Sequence, residues 1–419
     1  MNFKKAFGYS AIESIFSRLF DLVSIWIVLN TLGVEDVALF GLATSALFFF
    51  NLFFITPETA LFKYQKDWMK SGQISSYLSA FYSFNIFKLL VHYIAGAIVL
   101  VFFDDSKWLF FAIVFSAITQ KIQLAEISRI YFRMELKQKQ VALFELASKC
   151  ILLLLVSSLY FFPDIGYYFT IYLLWSAVVA LSWVLAVKEQ IGFSITFDVE
   201  HISKLKFAFL GFSGWAHLTG VMTFCIYNSS VLFLEWFDTE VSELALFVVL
   251  NKVANLFFVI PMFFQSFVPV LLANSNSQSN KRFKKLVLAS SILSTGQLIF
   301  FALFGRFIAS VFGVSEQDTE QFYELGLFVT FGIFVLNLNR PLSTFLLIKT
   351  NPKNLFLAVS LPSFCLAIFT YPLLINFYGL KGAAYSAVIV YSVMSLLLLV
   401  GFILYRKKNN EHISCNSNL

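Results

Sequence analysis

Apolar runs of about twenty residues follow one another along this 419-residue chain, and they are continuous rather than alternating. A helix crossing the hydrocarbon core of a bilayer needs ~20 apolar residues. In lipid every backbone amide must find its partner within the segment or across a closed barrel. Barrel strands alternate apolar and polar residues over short stretches, so unbroken runs select helices. Composition agrees: 59% of residues are hydrophobic and 13% charged, with a mean hydropathy of +0.80. A soluble domain is roughly half apolar and about a quarter charged. The chain is expected to be an all-α integral membrane protein.

Twelve spans are predicted, near 7–30, 38–58, 77–103, 108–126, 141–161, 167–187, 207–231, 244–272, 286–312, 325–347, 355–377 and 383–405. The longest polar break, 188–206, falls between spans six and seven. It divides the chain into a six-helix lobe over 1–190, a cytoplasmic linker over 191–206, a second six-helix lobe over 207–405 and a polar tail over 406–419. With the N-terminus placed in the cytoplasm, most of the 30 lysines and arginines fall in inside segments, and the outside loops keep only Lys107 and Lys381. Acidic residues crowd the other side, as in 235–243 and 316–324. The excess of Lys and Arg in cytoplasmic loops therefore predicts both termini inside. Lys4 and Lys5 precede a polar-striped span with no small-residue cleavage site, which reads as a signal anchor.

The halves carry an internal echo. Asn51-Leu-Phe-Phe-Ile-Thr-Pro57 in span two matches Asn255-Leu-Phe-Phe-Val-Ile-Pro261 in span eight at five of seven positions, 204 residues further on. Two parallel six-helix repeats, with a cargo cavity between them, is one transporter pattern. The same offset sets His217 of span seven opposite Glu13 of span one.

Function is sought in the charges inside the spans, because an ionisable group at bilayer depth is costly and usually faces a partner, a water-filled cavity or a polar cargo. In span one, Ser10, Glu13, Ser14, Ser17, Arg18, Asp21 and Ser24 recur at three- and four-residue spacings. At 100° per residue they fall within an arc of roughly 140°, a polar stripe on an apolar helix. The stripe either lines a cavity or ties span one to its neighbours. Lys88 lies in mid-span with His92 at i+4 and no acid within a turn, a repulsive arrangement that calls for an anion or an acid from elsewhere. Lys252 stands between Asn251 and Asn255, a patch suited to phosphate or sugar hydroxyls. Arg340, with Asn337, Asn339 and Pro341, either lines a cavity or marks a kinked helix end. Lys149 is expected to pair with Glu145, four residues earlier on the same helix. Arg306 is expected to snorkel to the interface. Trp215, near Gly211, Gly214 and His217, either packs closely or stacks on a sugar ring. Pro57, Pro261, Pro269 and Pro341 are candidates to kink or end spans. Glu13, Asp21 and His217 either balance the cations or couple transport to H+ or Na+. Most of the intramembrane charges are basic, which points to an anionic cargo.

Other classes are poorly served. The net charge of +6 is scattered over short loops with no soluble domain, so no nucleic-acid surface is expected. Cys150, Cys225, Cys365 and Cys415 are isolated, with neither metal spacing nor a disulfide framework. No phosphate-binding glycine loop, zinc motif or Ser–His–Asp grouping is present, so neither an enzyme nor a bound cofactor is expected.

Three segments together resemble the polysaccharide (O-antigen type) flippases of the multidrug/oligosaccharidyl-lipid/polysaccharide exporter superfamily. Thr31-Leu-Gly-Val-Glu-Asp-Val-Ala-Leu-Phe40 is similar to the family's Leu-Gly, acidic, Gly/aromatic turn, with Val34 and Ala38 in place of the usual Pro and Gly. Arg129, Arg133 and the run to Gln140 resemble its basic connector into span five. Phe377-Tyr-Gly-Leu-Lys-Gly-Ala-Ala384 resembles the turn opening its final span. The resemblance implies a MATE-like fold of two six-helix lobes in the bacterial inner membrane. It implies alternating access and a cargo of oligosaccharide on undecaprenyl diphosphate, destined for O-antigen, lipopolysaccharide or another surface polysaccharide. The partners implied are that lipid-linked oligosaccharide, membrane lipids, a polysaccharide polymerase and a chain-length regulator. Arg18 and Lys252 correspond to the family's cavity cations, whereas Lys88 and Arg340 rest on the residues alone. Two rivals stay open: a drug/cation antiporter of the same superfamily, which needs an acid-rich cavity, and a non-transporting scaffold or membrane-embedded enzyme of glycan assembly.

Overall fold

The computed structural model describes residues 3–53, 60–102, 107–195, 203, 205–206, 211–258, 261, 268 and 277–416. Pro57, Pro269 and half of the expected linker lie outside the described residues, as do the side chains of Ser10 and Ser14. Every regular element described is helical. The helices are α1 (Phe3–Thr31), α2 (Val34–Ser45), α3 (Leu47–Phe53), α4 (Leu61–Lys70), α5 (Ile74–Phe102), α6 (Lys107–Met134), α7 (Gln138–Ser157) and α8 (Ile165–Ile191). They continue with α9 (Phe212–Trp236), α10 (Val241–Leu256), α11 (Ser277–Val311), α12 (Thr319–Lys349), α13 (Pro352–Leu355) and α14 (Leu361–Asn416).

Among the described residues, nine helical stretches are long and apolar enough to cross a membrane, one of them the 56-residue stretch Pro352–Lys407. That stretch bends at Gly379 into two arms. The striped α1 and the described part of span eight, α10, complete the twelve arms expected. The chain is a multi-pass helical membrane protein.

Two compact units divide the chain, Met1–His217 and Leu218–Leu419. In the first, α6 is the central helix, packed on α8, α5 and α2, while α1 lies along α7. In the second, α12 is central, packed on α14, α11 and α10. Spans four and ten thus hold the same place in the order of the two units.

Local chemistry explains where helices stop. Asp164 precedes α8, and its Oδ1 accepts the Tyr167 backbone N–H at 2.7 Å, which satisfies one of the free donors of the first turn. Asn351 does the same for α13, accepting from the Lys353 N–H at 3.0 Å, with Pro352 in the first helical position. A π-turn at Phe356–Ser360 comes just before Pro362, whose ring and missing N–H break the regular ladder. The Tyr378-Gly-Leu-Lys-Gly motif bends α14. Gly379 sits at φ 54° and ψ −132°, a conformation essentially reserved for glycine. A Cβ on Gly382 would stand 2.0 Å from the Leu374 carbonyl oxygen.

The amphipathic α4 is an element not expected from hydropathy. It presents Trp68 to Tyr77, the rings stacked at 4.0 Å, and Gln65 Nε2 donates to the Tyr131 carbonyl at 3.2 Å. Only ten residues long, with Lys66, Asp67 and Lys70 exposed, it is too short and too polar to register as a span.

Candidate functional site

The polar stripe of α1 is answered by cations from α6 and α7. Glu13 is buried, and Arg133 Nη2 donates to its Oε1 at 2.6 Å. Asp21, half-buried, is held by Lys149 of α7. This corrects the intrahelical pairing of Lys149 with Glu145. Glu145 instead accepts Arg129 Nη1 at 3.2 Å and the Trp183 indole N–H at 3.1 Å. Glu126 completes the set, 3.0 Å from Arg129 Nε and 3.5 Å from Arg133 Nη1. Four helices, α1, α6, α7 and α8, are joined by these contacts. The connector expected after span four is helical as far as Met134, so Arg129 and Arg133 project from α6 rather than from a loop. A readable signal was present: Glu126, Arg129 and Arg133 stand at i, i+3 and i+7, one helical face.

Arg18 is different. Among the described residues no ion pair engages it, and it is exposed on the same side of α1 as Ile15 and Leu19. The helix therefore divides its charges: both acids turn into the first unit and are neutralised there, while the arginine faces out. Ser17 and Ser24 are half-buried.

Lys88 of α5 is 3% exposed, donates from Nζ to Gln123 Oε1 at 2.6 Å and lies 5.9 Å from the Phe84 ring centroid. His92, one turn on, donates Nε2 to the Ile113 carbonyl at 3.0 Å. The two basic side chains thus turn to neutral oxygens on α6. His217 donates Nε2 to the Asn51 carbonyl at 2.9 Å, and the start of α9 as far as His217 belongs to the first unit. Trp215 is half-buried in the first turn of that helix.

In the second unit, Lys252 is half-buried on α10, between the buried Asn251 and the half-buried Asn255. Those two amides bond along the helix, Asn255 Nδ2 to Asn251 Oδ1 at 3.4 Å. Helix α10 ends at Leu256, and the carbonyl of the following Phe257 is capped by Asn337 Nδ2 at 3.2 Å. A helix that stops inside a membrane leaves carbonyls that water cannot reach, and a side chain from a neighbour is one of the few remedies. Arg340, three residues along α12, lies over Phe258 at 4.5 Å and Tyr227 at 5.7 Å, and Tyr391 meets both rings edge-on. Cation–π contact of this kind is favourable where water is scarce. Asn339 ties α12 to α14 through Ser395 Oγ at 2.8 Å. Pro341 stays within α12 without ending it.

Arg306 is exposed near the end of α11, where it grips Glu320 through Nε and Nη2, both at 2.8 Å, and covers the Tyr323 ring at 4.0 Å. Among the described residues no group of three or more His, Cys, Asp or Glu side chains is arranged to hold a metal.

No family model matches the sequence, and no curated protein matches it. Solved structures do match in shape. Lipid II flippase MurJ in an inward closed conformation aligns with a TM-score of 0.70 at 18% identity, over 94% of this chain and 87% of that one. An inward-facing multidrug resistance MATE family transporter of the MOP superfamily aligns at 0.63 and 14%, over 96% and 98%. The eukaryotic MATE transporter AtDTX14 aligns at 0.63 and 15%, over 96% and 95%. Matches of this length at so low an identity establish architecture, and the chain has the all-helical fold that these MATE and MurJ structures share.

Proposed function

We propose that this protein is a bacterial inner-membrane flippase that moves oligosaccharide repeat units carried on undecaprenyl diphosphate between leaflets by alternating access. The observation that carries the reading is Arg18: an exposed guanidinium in an apolar helix whose own acids, Glu13 and Asp21, are already taken by Arg133 and Lys149. A guanidinium at bilayer depth needs a compensating partner or water. A diphosphate is an anion that the bidentate geometry of arginine suits. Stripping a diphosphate of water is costly, so cations set in advance along its route are a physical requirement. Lys88, Lys252 and Arg340 are the further cations proposed for this role. Trp215, Asn251 and Asn255 are proposed for glycan contact, and Glu13, Asp21 and His217 for charge balance or H+ or Na+ coupling. The likeness in shape to a lipid II flippase supports transport of a lipid-linked cargo.

The antiporter reading asks for acids open to a cationic drug, and the acids of α1 are occupied. Surface glycan measured in cells that depend on this protein, with protein level controlled, tests the proposal. Arg18→Ala is expected to abolish most export and Arg18→Lys to restore part of it. Undiminished export by Arg18→Ala and by Lys252→Ala would remove the diphosphate assignment, and export of cationic dyes in place of glycan would favour the antiporter.

A further inference from the structure

The second unit is strongly polarised in charge. Of its acids in the described residues, all but Glu411 lie from Glu235 to Glu243 or from Glu316 to Glu324, where α9 meets α10 and where α11 meets α12. At the other end a cluster of rings joins three helices. Phe283 of α11 is 1% exposed and lies 4.9 Å from Phe345 of α12 and 6.2 Å from Phe402 of α14. Phe345 also meets Phe402 at 5.2 Å and Tyr405 at 5.5 Å, both edge-on.

Cations surround this cluster. Lys284 and Lys285 follow Phe283 directly, Lys349 stands one turn beyond Phe345, and Arg406 and Lys407 stand one turn beyond Phe402. The guanidinium of Arg406 covers the Phe402 ring at 4.5 Å. Lys284, Lys285, Lys349 and Lys407 are exposed, and among the described residues none of the four makes an ion pair. Just inside the cations, the same helices turn apolar and remain uncovered: Leu288 is 60% exposed, and Leu404 is 61% exposed.

We infer that this end of the second unit is a binding platform for anionic phospholipid. One ligand satisfies both halves of the surface. Its phosphate meets the lysines at headgroup level, and its acyl chains lie along Leu288, Ile292, Ile403 and Leu404. The apolar band beside the cations sets them at headgroup level, where the phosphate of an anionic lipid is the counter-charge at hand. Basic side chains clustered at the membrane end of a helix attract anionic headgroups, and basic pockets between helices hold them. The ring cluster holds the three helices in register, so the cations are presented at fixed spacing and not on a mobile tail. The inference does not depend on the transport reading, since its measure is bound lipid.

Native mass spectrometry of the full-length protein, titrated with phosphatidylglycerol or phosphatidylcholine, tests it. The wild type is expected to retain phosphatidylglycerol selectively, and less so as salt is raised. A Lys284→Gln/Lys285→Gln/Lys349→Gln/Lys407→Gln variant should bind it ~10-fold more weakly or worse, with phosphatidylcholine unchanged. The corresponding Lys→Arg variant should bind as the wild type does. Should the fourfold Gln variant fail to fold, the Lys284/Lys285 and Lys349/Lys407 pairs are to be read separately. The inference is overturned if Gln variants retain phosphatidylglycerol like the wild type. It is overturned equally if Lys66, Lys70 and Lys139 of the first unit, changed to Gln as a control, produce the same loss.

Discussion

Arg133 reaches across 120 residues of sequence to set Nη2 2.6 Å from the buried carboxylate of Glu13. The pair fastens the first helix to the central helix of its unit, and it leaves Arg18 as the charge that α1 turns outward. In the low-dielectric interior, breaking such a pair by removing one partner strands the other.

Arg133→Gln should therefore destabilise the protein by about 3 kcal/mol, the lower end of the range for buried pairs because the arginine is partly exposed. Combining it with Glu13→Gln should recover part of the loss. Thermal unfolding in detergent, run as a double-mutant cycle, measures both. Strict additivity would show that the two side chains do not interact.

The pair of Asp21 and Lys149 should matter less. The Asp21 side chain is 36% exposed against 8% for Glu13, so the protein encloses it less completely. Asp21→Asn is expected to cost less than Glu13→Gln. The same unfolding assay checks the ranking, and a larger loss for Asp21→Asn than for Glu13→Gln would reverse it.

Trp183 donates its indole N–H to Glu145, which also holds Arg129. Trp183→Phe keeps the ring but removes a donor to a charged acceptor, at a cost of about 1.5–3 kcal/mol. Glu145→Gln relieves the need for that donor, so Trp183→Phe should cost less in a Glu145→Gln background. Equal costs in both backgrounds would mean the bond contributes nothing.

At the bend of α14, Gly382→Ala should be the more damaging of two glycine substitutions. Its new methyl would meet a backbone carbonyl at 2.0 Å, and backbone cannot rotate away. Gly379→Ala meets open space but holds a strained dihedral, which costs about 1–3 kcal/mol. Membrane-inserted, folded protein measured by fluorescence size-exclusion should fall further for Gly382→Ala.

Local rules were enough for some of the charge pattern and misleading for the rest. Glu126, Arg129 and Arg133 share a helical face whatever surrounds them, so their grouping was open to a reader who carried α6 past residue 126. Lys149 and Glu145 are also one turn apart, and by the same rule they should pair. Each finds a better-placed partner on another helix, Asp21 on α1 and Arg129 on α6. Arg306 shows the same limit: its exposure near a helix end was readable, but Glu320 and Tyr323 come to it only because α12 packs back along α11.

The sequence by itself determined a helical membrane protein of twelve arms, because lipid forbids unpaired backbone and apolar runs of that length have no other solution. It also placed costly charges inside those arms. Which charge answers which was left to the tertiary structure, since pairing in a low dielectric depends on a few ångströms of approach between helices distant in sequence. The capping of the Phe257 carbonyl by Asn337, and the outward turn of Arg18 while Glu13 and Asp21 turn in, are decided by that packing. Periodicity can place a residue on a face of its helix, but only the neighbouring helices make that face an inside or an outside.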